Sequence, residues 1–306
     1  MRFCDCHTWL RHSLPMTTPP RWTDDLFPFP TPPALAKMVD IAWEEGFLTT
    51  DLYEEGLYDA SRVQTSFALP FDLCEVPLAP QGWEYCYAGE AFRRHHVPFM
   101  SVPELLPFAD LGTGTCVGWV VPAPELGRTD HPVASFGHKE PGVIGRNTLD
   151  GLTFLLSLAL RSGGERRRAQ VARLSAELGI RPTPEYGVNP DGGNVEIPLD
   201  LVPPACWRHE PDPSGIGIGV LAPNDAFGDE CPSFTGETDT ILADASRMLD
   251  AGHPASALLG LTAAYHEDAQ RLPDLHPLWA RAYDDLDRPL FRERLDVMLE
   301  NHRQAF

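Results

Sequence analysis

Lysine is almost missing from this sequence. Lys37 and Lys139 are the only two in 306 residues. With 24 Lys+Arg against 44 Asp+Glu, the formal charge is −20. Such a chain has no general nucleic-acid-coating surface, because that kind of surface works by releasing counterions to clustered Lys and Arg. The basic patch that holds a protein on an anionic membrane is also lacking. Long apolar runs are missing too. The most apolar stretch, Leu152 to Leu160, falls far short of the ~20 residues that span a bilayer. The opening MRFCDCHTWLRHS has no continuous apolar core of the secretory kind. These absences lead to the expectation of a soluble, cytoplasmic protein with neither nucleic acid nor membrane as partner. The seven cysteines (Cys4, Cys6, Cys74, Cys86, Cys116, Cys206, Cys231) are odd in number and irregular in spacing. They read as free thiols in a reducing compartment.

What is present is an ordinary globular composition, 43% apolar and 22% charged, with length for about two domains on a prior of ~150 residues each. The 31 prolines are about twice the average usage of ~5%, which predicts a loop-rich chain. Seven of them fall within residues 1–33 (Pro15, Pro19, Pro20, Pro28, Pro30, Pro32, Pro33), where apolar periodicity is weak. That segment is expected to be a loosely packed arm.

Leu35, Met38, Val39, Ala42 and Trp43 share one helix face, so Pro33–Glu45 is expected as a helix, with Pro33 in its first turn and Gly46 at its end. From Phe67 to Val121 aromatic and β-branched residues alternate. Trp83, Tyr85 and Tyr87 lie on one side of a period-2 stretch. The segment Asp110–Thr115 reads as a turn between two strands. Asn147 caps a helix running to about Leu160, helped by Asp150 at the positive end of its dipole. Glu165–Leu178 is a second helix with a buried stripe of Val171, Leu174 and Leu178. Two strands are expected in the irregular segment that follows, around Val195/Ile197/Leu199/Leu201 and Ile216/Ile218/Val220. Four helices then close the chain: Thr240–Asp250, Pro254–Arg271, His276–Asp285 and Pro289–His302. Pro254 and Pro289 begin second helices 35 residues apart, close to the ~34-residue period of helix-turn-helix repeats. The C-terminal region is therefore read as tetratricopeptide-like helical hairpins. Tyr265, Trp279, Tyr283 and Phe291 lie there either as core or as the lining of a peptide groove, and helical spacing favours core.

The central segment combines Leu106-Pro-Phe-Ala-Asp-Leu-Gly-Thr-Gly-Thr115, Cys116-Val-Gly-Trp-Val120, Pro132-Val-Ala134 and Gly145-Arg-Asn-Thr-Leu-Asp-Gly-Leu-Thr-Phe-Leu-Leu156. It resembles the SUKH superfamily, which includes fungal cell-wall assembly regulators and bacterial toxin-immunity proteins. The family's LPF…G-x-G-D hallmark maps to Leu106, Pro107, Phe108, Gly112 and Gly114. Its strand aromatic maps to Trp119, and its late helix to Thr148, Leu149, Leu152, Phe154 and Leu155. Thr115 stands where the family has an acidic residue, and Leu111 lengthens the turn. The likeness covers residues 30–162 only. It implies a noncatalytic α+β module that binds protein, and immunity members bind secreted toxins, often basic nucleases.

No convincing catalytic, metal or cofactor set emerges. Cys116 with His131, His138 and Asp130 could be ordered as thiol, base and orienter, but Cys116 alternates with strand residues, as a buried structural cysteine does. Cys4-x-Cys6-His7, and Cys206-x-x-His209 with Cys231, offer soft ligands without a companion pair at zinc-finger spacing. Asp225-Ala-Phe-Gly-Asp-Glu230 lacks the alternation of an EF-hand. Ser214-Gly-Ile-Gly-Ile-Gly219 lacks the order of a dinucleotide loop.

Charge is more informative. Each half of the chain carries −10, yet no Lys or Arg occurs between Arg208 and Arg247. Eight acids fall in that window: Glu210, Asp212, Asp225, Asp229, Glu230, Glu237, Asp239 and Asp244. The sequence thus predicts an α+β protein in four segments. These are an arm (1–33), a SUKH-like mixed sheet with helices (34–162), a helix followed by a Pro/Gly-rich, acidic, partly stranded segment (163–236), and helical hairpins (237–306). The expected function is noncatalytic protein binding. A toxin-immunity protein would occlude a basic partner with Glu210, Asp212, Asp225, Asp229, Glu230, Glu237 and Asp239 and with the exposed edge of the SUKH-like domain. The alternatives are a regulatory scaffold that recruits a client through its C-terminal helices, and a thiol- or zinc-dependent enzyme.

Overall fold

The computed structural model describes residues 29–44, 72–73, 101–110, 115–137, 141–161, 164–188 and 196–305. Gly112, Gly114, His138, the Trp83–Tyr87 stretch and Cys4, Cys6 and His7 lie outside these residues.

The fold is α+β. Helix α1 (Pro33–Glu44) begins at Pro33, as its spacing predicts. Five antiparallel strands follow in chain order: β1 (Asp72–Leu73), β2 (Leu105–Asp110), β3 (Thr115–Val120), β4 (Val133–Gly137) and β5 (Gly142–Gly145). β2 carries Leu106, Pro107 and Phe108. Its pairing with β3 slips by one residue between Pro107 and Ala109, leaving Phe108 as the extra residue of a bulge. Proline suits this place because it has no N–H to give to the ladder. Gly118 on β3 faces Pro107 across the slip. A Cβ there would lie 2.7 Å from Pro107 Cα and still closer to the Leu106 carbonyl oxygen, so only glycine lets the two backbones approach.

Helix α2 (Thr148–Arg161) lies over β4 and β5. Asn147 Oδ1 accepts from the Asp150 amide at 2.9 Å, the cap expected from sequence. Gly151 permits the close approach, because a Cβ there would sit 2.7 Å from Val133 Cγ1. Trp119 is fully buried under this helix and donates from Nε1 to Thr148 Oγ1 at 2.9 Å. Helix α3 (Glu165–Leu178) buries Val171 and Leu174 and half-buries Leu178. The last residues of the expected loose arm are not loose. Phe29 is buried, with its ring 5.2 Å from Trp119 and 4.4 Å from His131.

The middle segment departs from expectation. Residues 196–201 form no strand, and the Ile197 amide makes a single bond to the Val143 carbonyl at the β5 edge. The strand expected at 216–220 starts only at Val220. β7 (Val220–Pro223) pairs with β6 (Trp207–Glu210), a partner that periodicity did not reveal. The preceding backbone is held elsewhere, since the Gly217 amide donates to Asp212 Oδ2.

Four helices complete the chain: α4 (Thr238–Asp250), α5 (Pro254–Glu267), α6 (Leu272–Asp285) and α7 (Pro289–Ala305). α5 ends earlier than expected because Asp268 caps a short 3-10 turn, Ala269–Arg271. α6 starts earlier and takes Pro277 inside its length. The hairpin turns repeat at an offset of 35 residues. The Gly252 and His253 amides donate to the Leu249 and Met248 carbonyls, and the Asp287 and Arg288 amides to the Asp284 and Tyr283 carbonyls. Both turns are Schellman motifs, which need a left-handed residue after the helix. Gly252 fills that place at φ 82° and Asp287 at φ 55°.

One hydrophobic cluster runs from Phe29 and Leu35 through the sheet to Leu295 and Met298, with a small satellite of Ala123, Leu201 and Leu221. Buried polar contacts join the ends of the chain. Tyr283 donates to Glu104 Oε1 at 2.8 Å, and Arg294 donates to the Pro103 and Leu105 carbonyls at 2.9 Å each. Burial raises the Glu104 pKa despite the Tyr283 hydroxyl and the nearby Arg288 and Arg294 charges.

Candidate functional site

The residues of the acidic window have different surroundings. Glu210, on β6, pairs with Arg208 at 3.2 Å. Glu230 pairs with Arg247 at 2.8 Å, and Arg247 also meets Asp244 at 3.2 Å. The two arginines that bound the window in sequence thus fold back over it and reduce its local charge. Asp225, Asp229, Glu237 and Asp239 are exposed. Glu237 and Asp239 stand at the start of α4, where the helix dipole favours negative charge.

Asp212 is a correction to the expected binding surface, because it faces inward. Its side chain and that of His266 are each 2% exposed, with Nδ1 and Oδ2 3.0 Å apart. The carboxylate also accepts from the Ser214 amide and hydroxyl, both at 2.8 Å, and from the Gly217 amide at 2.6 Å. Burial pushes the Asp212 pKa up, but the bonds from His266 and Ser214 outweigh it and hold the pKa below the ordinary value. The carboxylate therefore stabilises the fold at any pH above the unfolded value of about 3.9, and the contribution is lost as pH falls through the lowered folded value. Asp212→Ala leaves four groups, the Ser214 amide and hydroxyl, the Gly217 amide and the His266 ring nitrogen, without their partner, a loss of about 3 kcal/mol at neutral pH. Urea melts of wild type and variant should show that gap at neutral pH and a narrower one near pH ~3. An equal gap at both would mean that Asp212 is not the titrating group.

Cys116, His131 and Asp130 are not brought together as thiol, base and orienter. Cys116 pairs with Phe136 near one end of β3, whereas His131 precedes Val133, which pairs with Trp119 near the other end. The register separates thiol and imidazole by about five residues of strand, roughly 16 Å. His131 is buried, which pushes its pKa down to about 4 against the pull of Asp130. Asp130 Oδ1 is occupied by the Thr148 amide and hydroxyl and the His131 amide. Cys206 and Cys231 are exposed thiols, and His209 Nε2 meets the Ile218 carbonyl at 2.9 Å. Among the described residues no group of three or more His, Cys, Asp and Glu is placed to hold a metal ion. Tyr265, Trp279, Tyr283 and Phe291 are all buried, with successive ring centroids 5.7, 6.4 and 5.8 Å apart. They form core and not a groove lining.

Concavity and charge coincide at one place. The two helical hairpin turns, the β6–β7 ribbon and the 3-10 turn Pro124–Leu126 after β3 surround an open cleft of about 760 Å³. Glu125, Asp225, Asp285 and Asp287 line it, with Arg281 as the one cation among the described residues of the lining and Trp207 as its aromatic wall. Leu249, Leu286, Pro223 and Pro254 supply apolar surface. Arg288 lies beneath, 1% exposed, and donates to Glu125 Oε1 at 2.7 and 3.1 Å and to the Leu221 carbonyl at 2.6 Å.

Of the cleft carboxylates only Asp225 belongs to the sequence-defined window. Glu125, Asp285 and Asp287 come from elsewhere in the chain. Comparison of the two hairpin turns offered one available signal, since aspartate at 287 replaces the glycine of the equivalent turn at 252. No protein-family model matches the chain, and no curated protein shows a significant match. Among the described residues, no helix is long and apolar enough to cross a membrane.

Proposed function

We propose that this chain is a noncatalytic, SUKH-like protein-binding module that occludes a basic partner, in the manner of an immunity protein covering a nuclease-type toxin. The acidic cleft supports this reading most directly. Concavity, four carboxylates and an aromatic wall meet where the sheet half and the helical half join. Complementary charge steers such a partner to the site and penalises acidic competitors. Exposed Asp229 and Glu230 extend the acidic face along the segment that follows Asp225. In this reading the helical hairpins shape the site and do not recruit a client through a groove of their own, because their aromatic residues are spent in the core.

The test is capture of partners on the full-length protein from the cells that make it. A basic protein should be retained at low salt and released as salt rises. Reversal of Asp225, Asp229 and Glu230 together to lysine should reduce its capture by about tenfold or more, as loss of complementary charge predicts. Retention of no basic protein, or capture indifferent to the triple reversal, would count against the proposal.

A further inference from the structure

Within the cleft the carboxylates are not equivalent. Arg288 holds Glu125 from below. Arg281 reaches Asp250 at 2.8 Å and Asp285 at 3.7 Å. Asp225 and Asp287 differ from these two. Both are exposed, and among the described residues no ion pair engages either one. Asp225 belongs to the 3-10 turn Asn224–Ala226, directly after β7, and Asp287 to the turn between α6 and α7. Trp207 is half-buried opposite Pro223 in the β6–β7 register, its ring packed against the small satellite core.

We infer that this cleft receives a single arginine side chain from the protein partner, its guanidinium between the Asp225 and Asp287 carboxylates and against the Trp207 ring. The inference rests on the binding function proposed above and sharpens it from a charged face to one recognised group. A guanidinium is planar, donates in a fork to paired carboxylates and stacks on aromatic faces. A lysine ammonium is a compact, strongly hydrated charge that uses neither the fork nor the stack. The apolar walls from Leu249, Leu286 and Pro254 suit the aliphatic stem of such a side chain. Volume also fits, because a cleft of about 760 Å³ has room for a side chain and its flanking backbone.

Position 287 adds a comparison internal to the chain. The equivalent turn uses Gly252 for the left-handed residue, the favoured choice there. Position 287 carries an aspartate in the same conformation, and its carboxylate lines the cleft. Glycine at 287 would ease the backbone and remove the charge together, so stability and binding should respond to it in opposite directions.

Three blocked tripeptides, glycine-X-glycine with X as arginine, lysine or citrulline, test this on the full-length protein. The readout is the indole N–H resonance of Trp207, assigned with Trp207→Phe. The arginine peptide should shift it saturably and bind at least about fivefold more tightly than the lysine peptide, and the uncharged citrulline peptide should not bind. Asp225→Asn and Asp287→Asn should each weaken the arginine peptide by about fivefold or more, as loss of one charged acceptor predicts. Asp287→Gly should weaken it likewise while Tm stays level or rises. Equal affinity for arginine and lysine, or binding that ignores Asp287→Asn, would overturn the inference. Failure of the arginine peptide while a basic protein is still captured would discard the arginine site and leave the binding function standing. The reverse pattern would support the site and discard the occluding function.

Discussion

Gly118→Val should leave no folded protein, and Gly118→Ala should lower stability by about 3 kcal/mol or more, at or above the usual range for overpacking a closed core. The reason lies in the bulge. Gly118 faces Pro107 where the β2–β3 register slips, and Phe108 is turned into the core beside it. The added carbon of alanine would sit 2.7 Å from Pro107 Cα and nearer still to the Leu106 carbonyl. Both obstacles are backbone, so no side-chain rotation relieves them. β2 would have to move, and with it Phe108, whose ring centroid lies 4.7 Å from that of Trp119 at the centre of the cluster. Gly164→Ala is the control, because a Cβ there meets nothing within 4 Å and the backbone φ is −70°. As the N-cap of α3 it should lose no more than about 1 kcal/mol, well short of the Gly118→Ala loss. Thermal and urea melts followed by circular dichroism read both. A Gly118→Ala protein that melts with wild type would mean that β2 and β3 are farther apart than described.

Arg294→Met is expected to cost about 3–5 kcal/mol, the range seen when one member of a buried charged network is removed. Arg294 is 1% exposed. Its fork reaches the carbonyls of Pro103 and Leu105, and the Tyr283 hydroxyl takes the Glu104 carboxyl between them. Two helices thereby hold Pro103, Glu104 and Leu105, where the chain enters β2. Hydrogen bonds from a charged donor contribute about 1.5–3 kcal/mol each, so loss of two accounts for the expected size. Methionine keeps the volume and supplies no donor, leaving buried carbonyls without their partner. Tm should fall by roughly 10 °C on the usual scaling for a chain of this size. Arg294→Lys keeps the charge without the fork and should fall between methionine and wild type. If the methionine variant melts with wild type, the clamp does not hold the halves together, and the expected order of methionine, lysine and wild type is lost with it.

Much of the helical content was legible because its signals are local. Pro33, Asn147 and Pro254 mark starts, and apolar spacing marks Leu35 and Met38 of α1 and Val171 and Leu174 of α3, all of them buried. Each acts within a turn or two of itself, so reading along the chain suffices. The 35-residue offset of the hairpins was visible for the same reason. The strands were less legible. β7 and its partner β6 were obscured because Asp212 draws the intervening backbone inward toward His266, an element 54 residues away.

The candidate site shows the same division. Sequence alone determined that this protein is strongly acidic, that Lys and Arg are absent from residues 209–246, and that helices close the chain. Tertiary structure alone decided which acids can act. It buried Asp212, paired Glu210 and Glu230 with the two flanking arginines, and brought Asp225 into one cleft with Glu125, Asp285 and Asp287. It also turned Arg288 and Arg294, which composition would place at the surface, into buried anchors. Their bonds span 163 residues to Glu125 and 191 to Pro103. Pairings at that separation leave no periodicity or cap in the sequence, because the residues become neighbours only when the sheet and the hairpins share one core.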